Sequence, residues 1–334
     1  MNRTASPHAV APWIADQTQA LLAQRGHAWL LAGPSGLGQY DLAMALARAW
    51  LCDHPRQQGA CGQCSSCHAI EVHAHADMCV LMPETVLLDL GWPLNEKAQD
   101  DIDSKKRKPS KEIRVESMRD AVEFAQRTSA RGRGKVVLVF PAERMNVYTA
   151  NALLKTLEEP AGDVKFVLAT DAAHQLLPTI RSRCLGHTMT WPNQANAQAW
   201  LHSQGVAPAQ AELMLRAAGG RPQAALQFAP VCDSWRHLPK AVARGDTSIF
   251  KDWAPAQVVD ALQKLCHDAM ALKAGAKPRF FESNDLPMSG SWQSLSAWAT
   301  ALSASQRTVE HPFNTGLMHE ALVSQAQLAL NLKS

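Results

Sequence analysis

Apolar positions in the first half of the chain follow two alternating periods. Residues 28–31 (Ala-Trp-Leu-Leu) form a short apolar run ending at Gly33, and after Gly38 the apolar positions Leu42, Ala43, Leu46, Ala47 and Trp50 recur at helical spacing. This predicts strand, glycine loop, helix. A second strand is expected at 78–82, and Val115, Met118, Val122 and Ala125 mark a helix over 114–128. The near-continuous β-branched run at 135–140 suits a strand buried in a parallel sheet. A helix over 148–159 stopped by Pro160, a strand at 165–169, a helix over 175–183 and an extended stretch at 187–191 continue the alternation. Strands alternating with helices predict an α/β domain with a parallel sheet over residues 1–191. Residues 84–111 show little periodicity and read as an inserted loop.

Beyond Pro192 the strand signals vanish. Alanine and leucine dominate 195–228, 255–274 and 295–332, so the remainder is expected to be helical. A break at 229–239 and a Gly/Pro/Ser-rich loop at 277–291 divide it into a small helical domain, 192–235, and a larger helical bundle, 236–334. No internal repeat is visible.

Composition narrows this picture in three ways. A chain of 334 residues is long for one core and points to two or three domains. With 46% hydrophobic and 19% charged residues it reads as globular and not disordered. The formal charge of +3 is too small to imply nucleic-acid binding, and the basic run Lys105-Lys106-Arg107-Lys108-Pro109-Ser110-Lys111 reads first as a solvated loop. Residues 1–8 lack a signal peptide's apolar stretch and no segment has about 20 apolar residues, so a cytoplasmic location with no membrane contact is expected.

Two motifs carry candidate chemistry. Gly33-Pro34-Ser35-Gly36-Leu37-Gly38-Gln39-Tyr40 has the spacing of a loop whose N–H groups converge on phosphate at a helix N-terminus, although a glycine-rich turn in any βα unit could share it. A working loop needs a lysine for the β and γ phosphates and a Ser or Thr on Mg²⁺, and those places hold Gln39 and Tyr40. The strand at 135–140 runs into Pro141 and Ala142, with Glu143 the first carboxylate, so no acid sits at its end to hold a metal. The frame is that of a phosphate loop, and ATP is not expected to bind. Separately, Cys52, Cys61, Cys64 and Cys67 form C-x8-C-x2-C-x2-C, four thiolates able to surround structural Zn²⁺ in an inserted module at about 52–67. His68 and the pair His73 and His75 could compete as ligands but are expected at the surface.

The stretch Asn151-Ala-Leu-Leu-Lys-Thr-Leu-Glu-Glu-Pro160, with Phe166-Val-Leu-Ala-Thr170 and Ser182-Arg183-Cys184, resembles the AAA+ clamp-loader subunits of bacterial DNA polymerase III. The resemblance covers about residues 26–191. It implies an α/β P-loop (AAA+-like) N-terminal domain, a small helical lid containing Gly219-Gly-Arg-Pro-Gln-Ala-Ala-Leu226, and an all-α C-terminal collar that joins subunits. It also implies that Arg183 is an arginine finger supplied in trans to a neighbour's ATP, whereas the same arginine taken by itself, without the other motifs, would read as a cap on its own helix. Thr170 falls on the family's first sensor position, and Gln223 stands where a nucleotide-sensing arginine is expected. The implied partners are the gamma/tau motor subunits and the delta subunit in a hetero-pentameric ring, with the sliding clamp and primed DNA reached through the complex. Gln39, Tyr40 and the missing strand-end acid point to a subunit with no intrinsic ATPase activity, a non-catalytic scaffold within a polymerase holoenzyme. Two other readings stay open: an active motor with unusual residues, and a zinc-dependent DNA-binding module using the cysteines and the 105–111 run.

Overall fold

A computed structural model describes residues 10–287, 290–309, 311 and 314–331; residues 1–8, read for a leader, lie outside them. The chain divides into two compact units, Met1–Asn196 and Ala197–Ser334.

The first unit holds a five-stranded parallel sheet. Its elements are α1 (Pro12–Leu22), β1 (Ala28–Ala32), α2 (Gln39–Leu51), α3 (Ser65–Glu71), β2 (Met78–Leu81), α4 (Glu84–Asp89), α5 (Glu96–Asp103), α6 (Val115–Gln126), β3 (Lys135–Val139), α7 (Val147–Glu158), β4 (Val164–Thr170), α8 (Pro178–Arg181) and β5 (Leu185–Thr188). The strand order is β2-β3-β4-β1-β5. Val137 lies opposite Phe166 and Leu30 opposite Leu168, so the central strands are buried on both faces, as their unbroken apolar runs require. Leu153 and Leu157 of α7 are fully buried with Phe166 and Leu168 in one core cluster.

Three local differences from the sequence pattern have physical causes. The extended stretch expected at 187–191 lies at 185–188, because β5 is an edge strand whose exposed residues leave no apolar run to mark it. The helix expected over 175–183 is broken. Pro178 lacks an N–H and forces Leu177 out of helical geometry, so only the single turn of α8 forms, with Pro178 opening it. Residues 84–111 are not an unstructured loop but carry α4 and α5. Asn95 caps α5 by accepting from the Ala98 N–H at 2.7 Å, and the polar helix shows no apolar period because it buries almost nothing.

The second unit is helical throughout its described residues. A cluster of Ala197, Leu201, Ala211, Met214, Leu215 and their neighbours is followed by a larger core around α9 (Pro255–Lys273), where Trp235 stacks on Phe281 with centroids 4.6 Å apart. Buried Asp268 accepts from the N–H groups of Arg279, Phe280 and Phe281 at 2.7–2.9 Å, which fixes the segment after α9. No helix of the described residues is long and apolar enough to cross a membrane.

Candidate functional site: a closed phosphate loop and a four-cysteine cluster

The loop between β1 and α2 keeps the backbone of a phosphate cradle. Gly38, at the N-cap of α2, has φ +99°, a conformation that side chains resist, and a Cβ on Gly33 would come within 2.7 Å of the Met189 Cβ. The loop is also tied from α1, since the Trp13 indole N–H donates to the Leu37 carbonyl at 3.0 Å.

The side chains do something other than receive phosphate. Gln39, only 3% exposed, turns its amide into the loop and donates to the carbonyls of Gly33 at 2.7 Å and Pro34 at 2.9 Å, and to Asp171 Oδ1 at 2.8 Å. The Tyr40 hydroxyl accepts from the Trp92 indole N–H at 2.8 Å, and its ring packs on Phe140 with centroids 5.4 Å apart. Trp92 in turn stacks on His73 at 3.8 Å, which anchors the inserted helices beside the loop. Glu143, past the end of β3, accepts from the Thr170 hydroxyl at 2.6 Å. Thr170 is therefore engaged by a carboxylate from the neighbouring strand's end.

At the other end of α2 the four cysteines converge. Cys52, Cys61, Cys64 and Cys67 are all free thiols, and their sulfurs lie within 4.8 Å of one another. Three of the separations are 3.7, 3.8 and 3.9 Å. A tetrahedral ion with metal–sulfur bonds of about 2.3 Å has edges of about 3.8 Å, so the donor set and its spacing fit. N–H groups of Cys61 and Cys67 donate to the sulfurs of Cys52 and Cys64 at 3.2 and 3.4 Å. The Gln63 N–H lowers the Cys61 thiol to about 6, whereas burial pushes Cys67 up to about 12. Four such thiols in one shell can hold a metal ion with no position left for water.

Outer groups fix the cluster in place. The Asp53 carboxylate accepts from the Ser66 hydroxyl at 2.7 Å and the Ser66 N–H at 3.2 Å, bonds that hold it well below the usual carboxylate range. Arg131 donates to the hydroxyls of Ser65 and Ser66 at 2.8 Å each. The expectation of three surface histidines holds for His68 but fails for His75, which is buried and accepts from the Asp77 N–H at 3.1 Å. None of the three joins the metal-ligating group.

Arg183 follows the short helix α8. Its Nε donates to Glu158 Oε1 of α7 at 2.6 Å, its Nη2 pairs with the same oxygen, and its Nη1 donates to the Thr179 carbonyl at 2.8 Å. The guanidinium caps its own helix and is held to α7, with its side chain 29% exposed. In the 105–111 run, Arg107 is not solvated: it forms a fork on buried Glu84 at 2.5 and 2.8 Å. Burial opposes the Glu84 charge, but Arg107, Arg114 and the Ser110 N–H outweigh it and hold the carboxyl below its ordinary value. Sequence reasoning did not find Asp171, Trp92 or Glu84. Asp171 directly follows Thr170 at the end of β4, the one local hint available.

Sheet order, glycine loop and flanking helices define a P-loop protein of the AAA+-like class. The chain belongs to the DNA polymerase III delta subunit family, whose model, described as "DNA polymerase III, delta subunit", matches residues 15–191. It is 40% identical over 202 residues to DNA polymerase III subunit delta' of Pseudomonas aeruginosa, an alignment covering 60% of this chain and 55% of that one. To the subunit delta' of Escherichia coli K12 it is 34% identical over 222 residues, 64% of this chain and 59% of that one. The chain thus spans between half and two thirds of the length of these relatives. A DNA polymerase III gamma subunit-related protein from Thermotoga maritima shares the fold, with a TM-score of 0.52 and 15% identity over 95% of this chain and 99% of that one.

Proposed function

We propose that the chain is a nucleotide-inert subunit of a DNA polymerase III clamp loader, a scaffold that helps place the sliding clamp on primed DNA. The observation that carries this reading is Gln39. Its amide is spent on the loop's own carbonyls and Asp171, and Tyr40 beside it is fastened to Trp92 and Phe140. Neither can supply the ammonium or the metal-bound hydroxyl that phosphoryl transfer requires. The chain then has no intrinsic ATPase activity and works within the polymerase holoenzyme, in the cytoplasm.

In this role residues 1–191 form the AAA+-like domain, 192–235 a lid and 236–334 a collar that joins gamma/tau and delta subunits in a hetero-pentameric ring. A small apolar cluster around Leu201 beside a larger core around Leu265 supports two groupings of helices, with Ala217 and Trp235 of the lid segment packed into the larger one. The four cysteines hold structural zinc, supported by their tetrahedral spacing. Arg183 acts in trans on a neighbour's ATP, leaving Glu158 when a phosphate is presented. A guanidinium fork neutralises charge on phosphoryl oxygens, and such fingers are worth about 10³ to 10⁵ in rate.

The test is clamp- and DNA-stimulated ATP hydrolysis by a reconstituted loader, comparing the native chain with Arg183→Ala after equal assembly is confirmed. A loss approaching about 10³-fold is expected. An unchanged rate would leave Arg183 as the cap of α8 and remove the finger from the proposal.

A further inference from the structure

A cleft of about 650 Å³ lies between the C-terminal ends of α1 and α2, the segment after Cys52, the loop before β3 and the start of β4. This is the opposite end of α2 from the phosphate loop. Its walls carry Arg56 and Arg133, and Trp50, Gln57, Asp163 and Lys165 also line it. Lys165 is paired with Asp163 at 2.6 Å. Among the described residues neither Arg56 nor Arg133 has a hydrogen-bond or ion-pair partner for its guanidinium, and both are exposed. Two uncompensated cations thus line a concavity of ordinary ligand-site size.

Both walls are built and not merely exposed. Arg56 lies between two cluster cysteines, where its N–H donates to the Gly59 carbonyl at 2.7 Å and the Gly59 N–H returns a bond at 3.0 Å. The loop bearing Arg133 is held by buried Asp77, which accepts from the N–H groups of Ala130 and Arg131 at 2.6 and 2.8 Å and from the Ser129 hydroxyl at 3.0 Å. Arg131 then fastens this loop to Ser65 and Ser66 of α3, so the cysteine module positions one wall and braces the other.

We propose that this cleft binds a short segment of single-stranded nucleic acid, with Arg56 and Arg133 on its phosphates. The aromatic face favours this ligand over an acidic peptide. Half-buried Trp50 packs on Trp29 at 4.8 Å, and the Lys165 ammonium lies 5.9 Å from its ring. Cations that track a backbone beside an aromatic ring are how single strands are held without sequence preference. An acidic peptide would use the guanidiniums alone. This inference is independent of the scaffold role, since it uses neither the phosphate loop nor Arg183.

The experiment measures binding of a fluorescein-labelled oligothymidine to the full chain by fluorescence anisotropy, from about 50 to 200 mM salt. Native protein is compared with Arg56→Gln/Arg133→Gln and with Lys105→Gln/Lys106→Gln, each checked for unchanged circular dichroism. Native binding should weaken steeply with salt. The arginine variant should bind at least about tenfold more weakly, with a salt slope smaller by about 1.4, or about 0.7 for each of two phosphate contacts. The lysine variant should behave as native. The proposal is overturned if the native chain does not bind at the lowest salt, if the lysine pair and not the arginine pair carries the loss, or if a glutamate-rich peptide binds where the oligonucleotide does not.

Discussion

The two ends of α2 have kept different things. At its start, the phosphate loop retains its backbone, from Gly33 under Met189 to Gly38 in left-handed geometry, while the two chemical side chains are Gln39 and Tyr40. At its end, Cys52 opens a cluster in which all four ligand side chains are present and within 4.8 Å. A phosphate loop is mainly a backbone device, and its shape here is secured by packing and by the Trp13 bond to Leu37 whether or not phosphate ever enters. A thiolate cage is a side-chain device and has no residual use once a ligand is lost. Retention of a frame therefore says little about function, whereas retention of four spaced thiols says a great deal.

The strongest way to break this comparison is to remove a ligand. Cys64→Ser should bring bound zinc from about one per chain to near zero by atomic emission, and should destabilise the first unit by several kcal/mol. Structural zinc supplies about 10–16 kcal/mol of apparent binding free energy in small zinc-finger peptides, an upper bound here. Hydrogen exchange should report the loss around α2, α3 and the loop before β3, with the helical second unit unchanged. Equal exchange and equal thermal unfolding after confirmed zinc loss would mean that the cluster is a set of buried thiols with no structural task.

The alternation of apolar runs made the sheet and its flanking helices legible, because strands buried on both faces and helices with one buried face leave unlike periods. The glycine spacing and the cysteine spacing were legible for the same reason, being local in the chain. The remainder was not local. Gln39 reaches Asp171 across 132 positions, and Tyr40 meets Trp92 across 52. The inserted helices were invisible as helices because α4 is only six residues long, α5 is polar, and the segment is tied to one buried carboxylate, Glu84, which no period encodes.

That carboxylate gives the second prediction, which tests whether the inserted segment is as firmly specified as the cysteine module. Glu84→Gln removes a charge that receives Arg107, Arg114 and the Ser110 N–H, and should cost about 2–3 kcal/mol, as hydrogen bonds to buried charged groups do. Because the folded Glu84 pKa is depressed, its contribution is present above the unfolded value of about 4.3 and is lost as pH falls through the lower folded value. The gap between native and variant in urea unfolding should therefore be full at pH 7 and shrink below about pH 4. A gap that does not change with pH would place the effect in packing and not in charge.

The smallest expected effect bears most directly on the loop end of α2. If the inserted segment fastens the loop in its closed form, the Trp92–Tyr40 bond is coupled across 52 positions and should be measurable as a pair. Trp92→Phe keeps a ring against His73 but removes the indole N–H together with one of its two fused rings, whereas Tyr40→Phe keeps the ring on Phe140 and removes only the hydroxyl. Tyr40→Phe should cost about 1 kcal/mol and Trp92→Phe more, and the double variant should cost less than their sum by about 0.5–1.5 kcal/mol, since the one neutral hydrogen bond they share can be lost only once. Strict additivity would show that the two side chains stabilise their regions separately. In that case the position that holds a magnesium ligand in active loops would be closed by Phe140 and the Tyr40 ring alone, and the inserted helices would have no part in keeping the loop shut.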